Sequence, residues 1–98
     1  MAKQTFTRDQ AEALSLKALV FLASDEARLT RFLQLTGLAP ETLRAQADTP
    51  EILAAVLDHI LADQTLLLVF AAGEAIEPDQ IERARVLISG VDNPGVWL

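Results

Sequence analysis

His59 is the only histidine of the chain, and Asp63 follows it at the i+4 spacing that sets two side chains on one helix face. A histidine beside a carboxylate can share a proton or begin a metal site. A metal, however, wants three or four converging ligands. Asp58 would point about 100° away around the helix, and the chain has no cysteine to join the set. The ordinary role for His59 is therefore a polar-edge histidine with a carboxylate neighbour, and neither metal nor cofactor is expected.

Other catalytic constellations have less to stand on. Ser15, Ser24, Ser89 and the threonines are accounted for by helix caps and helix surfaces, and none sits in a Gly-x-Ser-x-Gly elbow. Asp58 with Asp63, and Glu74 with Glu77, are paired carboxylates of the kind that usually serve as solvated charges rather than as acid and base. Gly37, Gly73, Gly90 and Gly95 stand isolated, so no phosphate-cradling loop is present. No catalytic residue is assigned, and an enzyme is not expected.

The elements that would hold these residues are helices. The chain is 98 residues long, 51% hydrophobic and rich in Ala and Leu, with few aromatic residues. That composition favours one helical domain with a single core. Thr7-Arg8-Asp9-Gln10 reads as a capping box opening a first helix, with Phe6 placed to pack on its first turn. Ala11, Leu14, Ala18, Phe21 and Leu22 recur at helical spacing, and Leu16, Leu19 and Val20 widen the stripe until its second half is expected to be well buried. Ser24 or Asp25 starts a second helix through Leu29, Phe32, Leu33 and Leu35, ended by Gly37, with Leu38 folding back on the last turn. Pro40-Glu41 opens a short surface helix to about Ala47. Thr49-Pro50-Glu51 opens another, with Ile52, Leu53, Val56, Leu57, Ile60 and Leu61 at the 3-4-3-4 rhythm; a break or bend is expected near Asp63.

The stretch Leu66-Leu67-Leu68-Val69-Phe70-Ala71-Ala72 has no polar residue. It falls short of the ~20 apolar residues of a membrane span, and no second strand candidate exists to pair with it. It therefore reads as a helix apolar on every side, ended by Gly73, and is expected to occupy the centre of the bundle. Pro78 opens the last helix, with Ile81, Ala84, Arg85, Leu87 and Ile88, closed by Gly90. Residues 1–6 form an arm, 7–90 the domain and 91–98 a turn-rich tail. Two segments echo one another, Gly37-Leu38 before Pro40 and Gly73 to Ile76 before Pro78, as shared helix–turn–helix chemistry.

Partners are constrained by charge. Fourteen acidic residues against eight Lys and Arg give a net charge of −6, with the basic residues scattered. Nucleic acid and anionic membranes both select a clustered basic footprint, so neither is expected. A helix–turn–helix DNA-binding role would rest on Arg44 and Gln46, or on Gln80, Arg83 and Arg85, each set among acids. The N-terminus shows no secretory pattern, and a cytoplasmic location is expected. In the tail, Val96, Trp97 and Leu98 are apolar; they would close the bundle, or insert into a partner or a second copy.

The order of motifs resembles a family. Phe32 through Arg44 (FLQLTGLAPETLR), then Leu57 through Ala71 (LDHILADQTLLLVFA), match a pattern shared by short bacterial proteins, mainly alphaproteobacterial, classed as a domain of unknown function. The resemblance spans about residues 7–90. It implies a compact all-helical cytoplasmic protein and carries no activity, cofactor or catalytic residue. Asp63, in its Leu-Ala-Asp step, is the matched polar residue of most interest, with an N-cap as its ordinary role.

The fold expected is all-α: a compact bundle of five or six short helices around a central hydrophobic helix. The function expected is a non-catalytic protein-interaction or regulatory module, in a homodimer or with a protein partner. The alternative is a small ligand-binding protein or enzyme with a pocket near His59 and Asp63.

Overall fold

A computed structural model describes residues 7–90. Six helices follow in order: α1 (Arg8–Ala23), α2 (Glu26–Thr36), α3 (Pro40–Ala45), α4 (Pro50–Leu61), α5 (Gln64–Glu74) and α6 (Pro78–Arg85), with a π turn at Val86–Gly90. Among the described residues there is no strand. The all-α bundle around a central hydrophobic helix is present.

Local chemistry sets most helix ends. The Thr7 hydroxyl accepts from Gln10 N at 3.1 Å while the Gln10 side chain accepts from Thr7 N at 2.9 Å, completing the capping box. Phe6 lies outside the described residues. The Asp25 carboxylate accepts from Ala27 N and Arg28 N and starts α2. Thr49 caps α4, and Pro40, Pro50 and Pro78 each stand in a first turn, where a missing N–H costs nothing. Gly37 takes the left-handed conformation (φ 77°) and its N–H bonds to Leu33 O.

The central helix is α4, not the segment Leu66–Ala72. Seven of its twelve residues are buried: Ile52, Leu53, Ala54, Val56, Leu57, His59 and Ile60. It packs against α1, α6, α5, α2 and the π turn. In α5 only Phe70 and Ala71 are buried, while Leu68 is 51% and Val69 45% exposed. The cause is position. The chain turns by 108° between α4 and α5, so α5 lies across the end of α4 and has neighbours on one side.

α1 approaches α4 and α6 closely because its inward row is small. Ala11, Ser15 and Ala18 are all fully buried, as are Ala84 and Ile81 of α6, which α1 contacts. Ser15, read from the sequence as a surface or capping residue, is instead in the interior, where its hydroxyl donates to Ala11 O at 2.7 Å and leaves no polar group unmet. The second half of α1 is not buried all round, since Val20 is 66% exposed. Leu35 likewise faces out from α2, whose single buried residue is Phe32. The short α3 ends at Ala45 and sinks Leu43 into the core.

Gly73 does not end α5. The helix runs to Glu74, and Ala75 takes the left-handed conformation at φ 60°. Ala75 N bonds to Ala72 O and Ile76 N to Ala71 O at 3.0 Å, the paired bonds of a Schellman motif. The internal echo therefore aligns Ala75, not Gly73, with Gly37: a left-handed residue, a half-buried aliphatic (Ile76 or Leu38), a cap and a proline. An alanine there holds a conformation that its Cβ disfavours by about 1–2 kcal/mol. Ala75→Gly is expected to raise stability by about 0.5–1 kcal/mol after glycine's extra chain entropy is deducted, read as a higher thermal midpoint.

The last α-helix ends earlier than its sequence pattern suggests. It stops at Arg85 and the chain continues through the wider π turn to Gly90, which buries Ile88 and exposes Val86. Arg8 Nη1 donates to Leu87 O at 3.1 Å, so the start of the domain meets a carbonyl near its end.

Candidate functional site

His59 and Asp63 stand on different elements, His59 in α4 and Asp63 at the start of α5. His59 is 9% exposed, on the side of α4 that meets α2. Its ring stands edge-on to Phe32, with centroids 5.1 Å apart and planes at 75°. Its Nε2 is buried and has no hydrogen-bond partner. Burial chiefly, and then the Arg31 guanidinium of α2, lower its pKa below the ordinary 6.5; the Asp63 carboxylate opposes them. The imidazole is thus held neutral as a packing residue.

Asp63 sits where α4 has already ended. Its backbone is extended (φ −123°, ψ 107°) and its carboxylate accepts from Leu66 N at 3.2 Å, capping α5. Asp63→Ala is expected to lower stability by about 1 kcal/mol, and Asp63→Ser to recover most of it, in chemical denaturation. A ligand-binding carboxylate would not be rescued by serine.

The other paired acids separate too. Asp58 is held by Arg85 across α4 and α6, through Nε–Oδ1 at 2.6 Å and Nη2–Oδ2 at 2.9 Å. This two-pronged hydrogen bond, above all, holds the Arg85 proton more firmly than usual. It also ties down one of the basic residues that a DNA-reading face of α6 would need. Glu74 lies 3.5 Å from Lys17 of α1. Among the described residues no group of three or more His, Asp or Glu side chains converges as a metal site would require. Val96, Trp97 and Leu98 lie outside the described residues.

An exposed apolar surface lies on α5. From Gln64 to Gly73 that helix carries no charged residue. Thr65, Leu68, Val69, Ala72 and Gly73 fall at the i, i+3, i+4, i+7 and i+8 spacings of one helix face and are all exposed. The opposite face sends Phe70 against Phe21 of α1, with ring centroids 5.3 Å apart. Arg28 lies over the Phe21 ring at 4.3 Å from its centroid, closing that side with a cation–π contact. Beside it, Leu16 and Val20 border a shallow hollow reaching Glu74. The sequence signal for the α5 face was present, since an all-apolar helix must expose something unless it is surrounded.

No single described helix is long and apolar enough to cross a membrane. A family model described as a protein of unknown function (DUF3572) matches residues 8–91 of the chain. No curated protein and no solved structure matches it.

Proposed function

The chain belongs to the DUF3572 family, and from that premise we propose that it is a small non-catalytic protein-interaction module that pairs with a second copy of itself through the outer face of α5. The observation that carries this reading is the exposed, charge-free surface of Thr65, Leu68, Val69, Ala72 and Gly73. Exposed apolar residues that share one face mark interaction sites more than scattered ones do. The choice of a second copy rests on charge. Two molecules at −6 repel, and a two-fold contact sets each residue near its own equivalent. A surface without carboxylates is self-complementary under that constraint, and Ala72 and Gly73 let two helix backbones come close.

A contact of one helix per subunit is small, so the dimer is expected to be weak, with a Kd on the order of micromolar. Sedimentation velocity across a concentration series tests it. The wild type should pass from monomer to dimer, and Val69→Glu combined with Ala72→Glu should stay monomeric with unchanged helicity. A wild type monomeric up to about 1 mM would overturn the reading. So would a double variant that dimerises normally.

A further inference from the structure

An open cleft of about 500 Å³ lies between the start of α1, the outer side of α4 and the π turn. Its apolar lining comes from Pro50, Ala54, Ala55 and Ile88, with Arg8 and Arg85 at its edge. Of its two carboxylates, Asp58 is engaged by Arg85 and Glu51 is exposed. Ala54 and Ala55 make the α4 wall shallow, leaving room that larger side chains would fill.

We propose that this cleft is the docking site of the chain's own segment 91–98, with Trp97 seated against Ala54 and Ala55. Three observations carry it. The first is place: the described chain ends at Gly90, two residues beyond Ile88, which itself lines the cleft. The second is reach. Trp97 is seven steps along the chain from Gly90, a span of at most about 25 Å, and Asn93-Pro94-Gly95-Val96 has proline and glycine in the order that the two central positions of a type II turn favour. A turn of that type would send Val96-Trp97-Leu98 back toward the point of departure. The third is chemistry. Val96, Trp97 and Leu98 are apolar, as are Pro50, Ala54, Ala55 and Ile88 of the lining, and the segment's one charged side chain, Asp92, is five residues on in sequence from Leu87, whose carbonyl oxygen accepts from the Arg8 guanidinium. An indole also stacks well on an arginine such as those at the cleft edge. The docked segment is a built-in occupant that any competing peptide must displace.

Trp97 is the only tryptophan and the chain has no tyrosine, so intrinsic emission reports on this segment alone. In the full chain, emission should be blue-shifted, and acrylamide quenching several-fold weaker than in the urea-unfolded protein. Both should be independent of protein concentration. Ala55→Arg, on the cleft lining, should bring quenching close to the unfolded value while helicity is retained. A second measurement does not depend on that variant folding. Trp97→Ala, outside the described helices, should shift the methyl resonances of Ala54, Ala55 and Ile88 and leave Leu68 unmoved.

Native quenching equal to that of the unfolded chain would overturn the proposal. So would protection that disappears on dilution, which would put the segment in a second copy's cleft, or methyl shifts confined to other residues. The cleft lining and the outer face of α5 have no residue in common, so failure of the α5 dimer leaves this test unaffected.

Discussion

Leu57→Ala is expected to destabilise the protein by about 2–5 kcal/mol, against less than about 0.5 kcal/mol for Leu68→Ala. Both are leucines in helices dominated by apolar residues, and both lose the same atoms. Leu57 is fully buried on α4, where truncation forfeits the transfer energy of the side chain and leaves a cavity among neighbours that close over it only in part. Leu68 is 51% exposed on the outer face of α5, where water replaces the missing atoms. A domain of this size has a total stability of about 5–15 kcal/mol, so the Leu57 variant should approach the unfolding threshold in mild urea. Urea titrations followed by circular dichroism compare the two directly. Equal losses, or a larger one at Leu68, would return α5 to the centre of the bundle. The Leu68 comparison is best made at low concentration, where the proposed dimer adds nothing to apparent stability.

Acidification should loosen the contact between α2 and α4. His59 has a folded pKa below 6.5, because burial and Arg31 disfavour its charged form more than Asp63 favours it. Between the folded value and 6.5 the unfolded chain binds more protons than the folded one, so stability rises with pH across that window. The contribution is complete above pH 6.5 and is lost as pH falls through the folded value. His59→Phe removes both the titration and the unpartnered buried Nε2, keeping an aromatic ring beside Phe32. It is expected to gain about 1–2 kcal/mol at neutral pH, since an unsatisfied buried polar atom carries a penalty of that order. The stability of that variant should also vary less as pH falls below 6.5 than the wild type's. A wild type and variant with parallel stability–pH curves would show that the imidazole is reached by water in the folded state. Titrating the His59 ring protons by NMR would locate the folded pKa independently.

The two predictions rest on different layers of information. The helix ends were legible in the residue order: Thr7 with Gln10, Asp25, Gly37, Thr49-Pro50 and the break at Asp63 all act through bonds spanning two to four residues, so neighbours in sequence suffice to specify them. Two ends are exceptions, that of the last helix at Arg85 and that of α5 at Ala75. Glycine two residues earlier offered the cheaper left-handed position, but Ile76 could be tucked against the core only if the turn came later, so packing overruled propensity.

The candidate site was less legible than the fold. The spacing of His59 and Asp63 is correct for one helix face, yet the helix stops between them, and the aspartate turns to the next helix. Residue types alone proposed a polar pair on one helix; the backbone between them left only an electrostatic influence of Asp63 on His59. The contact of Asp58 with Arg85, 27 residues away, has no local signal at all.

Which apolar helix lies in the centre was likewise beyond the residue order. In α4, Glu51 and Asp58 mark one side as outward, so the remaining stripe has a direction. In α5 no polar residue between Leu66 and Ala72 distinguishes one side from another. Hydrophobicity says how much a helix gains by burial, not how many neighbours stand ready to bury it. That number came from the 108° turn at Asp63, which set α4 among five elements and left α5 with one face in water.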